Sequence, residues 1–103
     1  MSAVVQVRQT VTVTTRYNVT GVEQMRTGYG KRTFVPERVV ITDRDGNVSF
    51  DVGGWVPKKD GTPSLNGGGK YSAYNTRHLD FEPEWLQTLI RDYCTQAGIE
   101  AES

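Results

Sequence analysis

The sequence predicts an α+β fold: an antiparallel β-sheet of about four to six strands, opened by a long N-terminal strand and covered by one C-terminal α-helix. Three observations carry this. Val5 to Thr20 alternates without a slip of phase, Arg44-Asp45-Gly46-Asn47 gives a tight-turn signal between two apolar runs, and Trp85 to Ala97 repeats at helical spacing. With 103 residues, 36% of them hydrophobic and 23% charged, the chain has room for a single domain over 1–103 built on one core.

In the opening strand, Val5, Val7, Val11, Val13, Tyr17 and Val19 fall on odd positions; Gln6, Arg8, Thr10, Thr12, Thr14 and Arg16 fall on even ones. β-Branched residues on both faces suit a half-buried strand. A bend is expected at Gln9-Thr10, where the apolar face lapses, and Gly21 ends the run. A strand of this length exposes backbone to other chains, so a homodimer through it is one expectation. Thr27-Gly28-Tyr29-Gly30 marks a turn into a short strand over Arg32–Val35, which Pro36 is expected to break. Arg38–Asp43 and Asn47–Val52 then form a hairpin, with Val48, Phe50 and Val52 facing the core and Gly53-Gly54 as a bulge or kink. Residues 57–70 (PKKDGTPSLNGGGK) have no period and read as a flexible loop, and Tyr71–Leu79 reads as a last strand. In the helix, Glu82 is the expected cap and Pro83 the first helical residue. Trp85, Leu86, Leu89, Ile90, Tyr93 and Ala97 form its apolar stripe, Gly98 its stop, and 99–103 a frayed tail.

The longest strongly apolar run is Val39-Val40-Ile41, so no membrane span is expected. Met1-Ser2-Ala3-Val4 lacks the basic and apolar regions of a signal peptide, and the one cysteine, Cys94, has no partner for an internal disulfide. These features predict a soluble, intracellular, cytoplasmic protein. The sequons at Asn18 and Asn47 are then read as chance.

Net charge is zero, but it is unevenly spread. Residues 1–77 hold eleven Lys or Arg against six Asp or Glu, a balance of +5; residues 78–103 hold Arg91 against six acids, a balance of −5. Such a division either draws a polyanion to one face or neutralises itself internally.

No catalytic, metal or cofactor signature survives testing. A phosphate loop would need a glycine where Ser64 stands, and Ser or Thr where Tyr71 follows Gly67-Gly68-Gly69-Lys70. Gly28-Tyr29-Gly30-Lys31-Arg32-Thr33 is one glycine short of a dinucleotide fingerprint. In Asp43-Arg44-Asp45-Gly46 the glycine is fourth rather than sixth for a calcium loop, and Gly54 takes the place of the twelfth-position Glu. His78, Asp80 and Glu82 alternate and are a conceivable divalent-metal set, but the two acids also suit a helix N-terminus. Cys94 beside the helix's apolar stripe reads as a small buried hydrophobe. The remaining material is basic and aromatic. Arg26, Tyr29, Lys31 and Arg32 lie in one segment, 26–34; Trp55, Lys58, Lys59, Lys70, Tyr71 and Tyr74 lie in another, 55–74. Cations hold phosphates and aromatic faces stack bases. The sequence therefore predicts a non-enzymatic module that engages a partner protein, as an inhibitor or adaptor would, through a sheet edge. A nucleic-acid or nucleotide binder using these ten residues is the alternative, and a small hydrolase or nuclease centred on His78 a further one.

Overall fold

The computed structural model describes residues 9–28 and 32–99, the side chains of 65–67 excepted. It is an α+β fold: an open antiparallel sheet with one helix, α1 (Glu84–Ala97), packed on one face. The strands are β1 (Thr12–Asn18), β2 (Met25–Arg26), β3 (Thr33–Arg44), β4 (Asn47–Pro57) and β5 (Pro63–Ala73), in the order β1-β3-β4-β5, with β2 also paired to β3. No helix among the described residues is long and apolar enough to cross a membrane.

The β3–β4 hairpin forms where its turn residues predict. Asp45 and Gly46 both take positive φ, 53° and 89°, and Asp43 Oδ1 accepts a hydrogen bond from the Gly46 N–H at 2.9 Å. Val48, Phe50 and Val52 are buried on the face that also carries Val39 and Ile41. Leu86, Ile90 and Cys94, spaced four apart, bury against this face; Trp85, Leu89 and Tyr93 flank them. Tyr93 Oη donates to Asp43 Oδ2 at 3.1 Å, tying helix to hairpin. Ala97 is exposed, so the stripe ends one turn earlier than expected. Gly98, at φ 72°, closes the helix, and its N–H bonds the carbonyls of Cys94 and Thr95.

Several expectations need correction. The described part of the opening strand pairs over Thr12–Asn18 only, and the residues before Gln9 lie outside the described residues. The reason is its partner. Thr12 faces Arg44, the last residue of β3, and the chain then reverses at Asp45-Gly46; at the other end Asn18 faces Arg38, where β3 bulges. Alternation continues beyond the point where there is a strand to pair with.

Pro36 does not break the ladder. β3 runs through it, because one extra residue, Glu37, is inserted between Pro36 (opposite Gly54) and Arg38 (opposite Gly53). The bulge thus sits on β3, across from the two glycines expected to hold it. Its consequence is a change of parity: Phe34 and Pro36 face the core from even positions, Val39 and Ile41 from odd ones.

The stretch expected to be a loop over 57–70 is mostly strand. Only Lys58–Thr62 turns, with the Lys58 N–H donating to the Thr62 carbonyl at 2.7 Å and Gly61 at φ 85°; β5 then runs from Pro63 to Ala73. The glycines here are spatial requirements. A Cβ on Gly69 would lie 2.2 Å from the Phe34 Cβ, and one on its cross-strand partner Gly54 would lie 1.8 Å from the Val35 carbonyl oxygen. Phe34 is fully buried over this glycine pair, beside Met25 of β2. The Gly28 N–H donates to the Lys70 carbonyl at 3.0 Å, curling the sheet around Phe34. After Ala73 the chain leaves the sheet, so 74–79 is turn rather than strand and leads to a 3₁₀ turn, Leu79–Phe81. The α-helix starts one residue late, with Pro83 at the cap and Glu84 first. Of the tail expected to fray over 99–103, Ile99 is held instead, its N–H donating to the Cys94 carbonyl at 2.8 Å and its side chain packed against the core, while 100–103 lie outside the described residues.

The glycine pair gives a direct test by urea unfolding. Gly54→Ala and Gly69→Ala should each cost about 3 kcal/mol or prevent folding. Gly68→Ala, whose Cβ would meet only the Gly54 oxygen at 3.9 Å, should cost less than about 1 kcal/mol. Equal losses at all three positions would contradict the close approach.

Candidate nucleic-acid interface

Of the ten residues singled out by sequence, Tyr29 and Lys31 lie outside the described residues, and the other eight divide among three places. The first place is an open cleft of about 430 Å³ at the turn end of the β4–β5 hairpin, lined by Arg32, Thr33, Val56, Pro57, Lys58, Lys59 and Ser64. Two segments some 26 residues apart in sequence meet there because β3 and β4 pair antiparallel down to Val35 opposite Trp55. Among the described residues three cations line this cleft and no carboxylate does. Asp60 lies in the same turn, but its Oδ1 accepts from the Thr62 hydroxyl at 2.6 Å and from the Thr62 N–H at 3.0 Å. Those bonds hold its carboxyl below the usual carboxylate range, so the acid serves the turn.

The second place is the sheet face opposite α1. Trp55, half-buried, faces Val35 and Gly68, while Lys70 faces Gly53 two residues along. Arg38 joins them here; a Cβ on Gly53 would lie 2.8 Å from its guanidinium, which therefore lies over that glycine. Arg38, Gly53 and Lys70 border a shallow hollow of about 230 Å³ that also touches Asp51, whose carboxylate accepts from the Ser72 hydroxyl. Arg38 was not among the residues singled out from sequence. The signal was present, since the alternation Val39, Ile41, Asp43 sends Arg38, Val40 and Thr42 to the other face. Arg26, exposed and paired with Thr33, borders the same end of the sheet and has contacts of its own.

The third place is remote from the cleft. Tyr71 points to the core face, where its hydroxyl donates to Glu82 Oε1, and Tyr74 stands exposed in the turn after β5. Glu82, expected to cap the helix, is instead held by Tyr71. Burial, the larger effect, pushes its carboxyl pKa up, and the tyrosine bond pulls it part of the way back. The Tyr71 phenol is raised by burial and then by the carboxylate beside it.

His78, Asp80 and Glu82 do not converge. Asp80 Oδ1 is 2.6 Å from Arg91 Nη2, Glu82 is engaged by Tyr71, and His78 tilts against Phe81 with ring centroids 6.1 Å apart. Among the described residues no group of three His, Cys, Asp or Glu is placed to hold a metal ion. The Cys94 thiol is buried, and that burial raises its pKa and disfavours a thiolate. No protein-family model matches the chain, and no curated protein and no solved structure matches it significantly.

The environment of Glu82 can be read from its pH dependence. The folded chain holds this proton to higher pH than the unfolded chain. Its contribution to stability is therefore whole below the ordinary carboxylate value and is lost as pH rises from there through the raised folded one. Glu82→Gln should consequently gain stability relative to the wild type between about pH 4 and about pH 7, measured by urea unfolding at both. A difference that does not change with pH would show that burial does not penalise this carboxylate.

Proposed function

We propose that this chain is a non-enzymatic module that binds single-stranded nucleic acid along the turn end of its sheet. One observation carries the reading: Arg32, Lys58 and Lys59 come from distant segments to line one cleft without a carboxylate. Charge of one sign lining an open cleft attracts phosphates. The Trp55–Arg38–Lys70 face supports the same reading, since an aromatic ring with flanking cations on an uncovered sheet holds bases by stacking, whatever their sequence. With three phosphate contacts, affinity for an oligonucleotide should fall with a salt slope of about −2, or roughly 20-fold between 50 and 200 mM salt. Fluorescence anisotropy with a labelled oligodeoxynucleotide measures this. Arg32→Glu, Lys58→Glu and Lys59→Glu combined should lower affinity at least about 30-fold at low salt. Arg44→Glu, at the far end of β3, should change it less than about twofold. No binding by the wild type, or equal binding by the triple variant, refutes the proposal.

A second reading, in which the chain pairs with a protein or with its own copy, rests on β1. Its outer edge has no partner among the described residues, and neither proline nor bulge guards it. Val11 and Val13 beside it are 55% and 46% exposed. Two copies paired about Thr15 would set Val13 against Tyr17 on one face. Sedimentation velocity should then show a dimer that Val13→Lys converts to monomer; a wild-type monomer at high concentration would exclude the self-paired form.

A further inference from the structure

We propose that the cleft between the end of β5 and the 3₁₀ turn is a binding site for a small organic cation, an alkylammonium group on an apolar stem, held by the Glu82 carboxylate and the rings of Tyr74 and His78. This inference stands independently of the nucleic-acid reading.

The cleft has a volume of about 240 Å³, below the roughly 300–1,000 Å³ of sites for drug-sized ligands, so it fits a fragment-sized group. Phe50 and Leu79, both buried, give it an apolar floor. Glu82 lies in its wall. One carboxylate oxygen accepts from the Tyr71 hydroxyl, and the side chain is half-buried. Among the described residues no Lys or Arg lines the cavity. Asp80, two residues before it, already has Arg91, and Arg77, though next to His78, stays out of the lining. Glu82 is thus a half-buried negative charge in the cleft wall whose hydrogen-bond donor is neutral, a charge that a cation would satisfy.

The rim supplies the second half of the argument. Among the described residues four large hydrophobic side chains are exposed. Val11 and Val13 lie at β1; the other two, Tyr74 at 89% and Phe81 at 86%, lie at or beside this cleft. Phe81 contacts His78, which lines the wall. Aromatic faces around a carboxylate bind ammonium groups, because the ring quadrupole and the anion attract the same charge while the floor takes the stem. An anion is disfavoured by Glu82, and a neutral stem would leave that carboxylate unsatisfied on burial.

The ammonium group could come from a free amine or from a lysine side chain, and the test separates them. The ¹⁵N-labelled protein is titrated with butylammonium chloride, Nα-acetyl-lysine amide and 1-butanol, following the amide resonances of residues 71–82. Butylammonium should give saturable shifts in the low-millimolar range, at least tenfold tighter than 1-butanol. Binding of the lysine amide as well assigns a side-chain source; its failure beside butylammonium binding assigns a free amine. Glu82→Gln, whose amide oxygen can still accept from Tyr71, should weaken butylammonium binding at least tenfold. Tyr74→Ala, at a position too exposed to affect folding, should weaken it several-fold. Absence of saturation in the wild type, equal binding of the alcohol, or unchanged affinity in Glu82→Gln overturns the proposal.

Discussion

Between Pro36 and Arg38 the third strand carries one residue more than the strand beside it, and from there onward each side chain takes the opposite face from the one its position implied. Before the insertion, Phe34 points inward; after it, Val39 and Ile41 do, although they differ from Phe34 in parity. Without the extra residue, either the Phe34 end or the Val39–Ile41 end would turn outward, and the core beneath α1 could not be continuous. The bulge also sends Arg38 to the uncovered face. Its neighbours across the sheet meet the same constraint in another form: with Phe34 pressed onto Gly69 and Val35 against Gly54, this end of the sheet admits no side chain on either glycine. The curl that brings Gly28 to Lys70, and Arg32 to the mouth of the hairpin, follows from that close packing.

Much of this architecture was legible because it is local. The Asp-Gly turn, the inward row Val48, Phe50 and Val52, and the helical spacing of Leu86, Ile90 and Cys94's neighbours are each set by a few adjacent residues. What was hidden depends on partners. β1 is shorter than its alternation because β3 ends, and β5 has no readable period because Gly67, Gly68 and Gly69 offer no side chains to alternate. A glycine run reads as loop until Phe34 is known to lie over it. Pro36 reads as a breaker until the bulge that accommodates it is seen.

The candidate site was legible in composition and not in geometry. Arg32, Lys58 and Lys59 converge, as two basic segments joined by one hairpin can. Trp55 and Lys70 lie on the other face of the same strands. Tyr71, one residue beyond Lys70, points inward and belongs to a different neighbourhood altogether. Residue-by-residue alternation separates what proximity in sequence had grouped, and it also recruits Arg38, which sequence grouping had left in the hairpin.

The uneven charge of the chain takes physical form in this arrangement. The ion pairs Arg38–Glu37 and Arg91–Asp80 each stay within their own half of the sequence, so neither neutralises the other half. Arg32, Lys58 and Lys59 gather at the turn end of β4 and β5, whereas Glu82 lies where β5 leaves the sheet. β5 connects the two regions, and Lys70 and Tyr71 mark the crossing: adjacent in the chain, opposite in direction, and each held in register by β4, at Gly53 and Val52. Because that ladder fixes both residues at once, a ligand at either end meets a surface already formed. The two charged regions stay apart because β5, paired to β4 from Pro63 to Ala73, spans the distance between them.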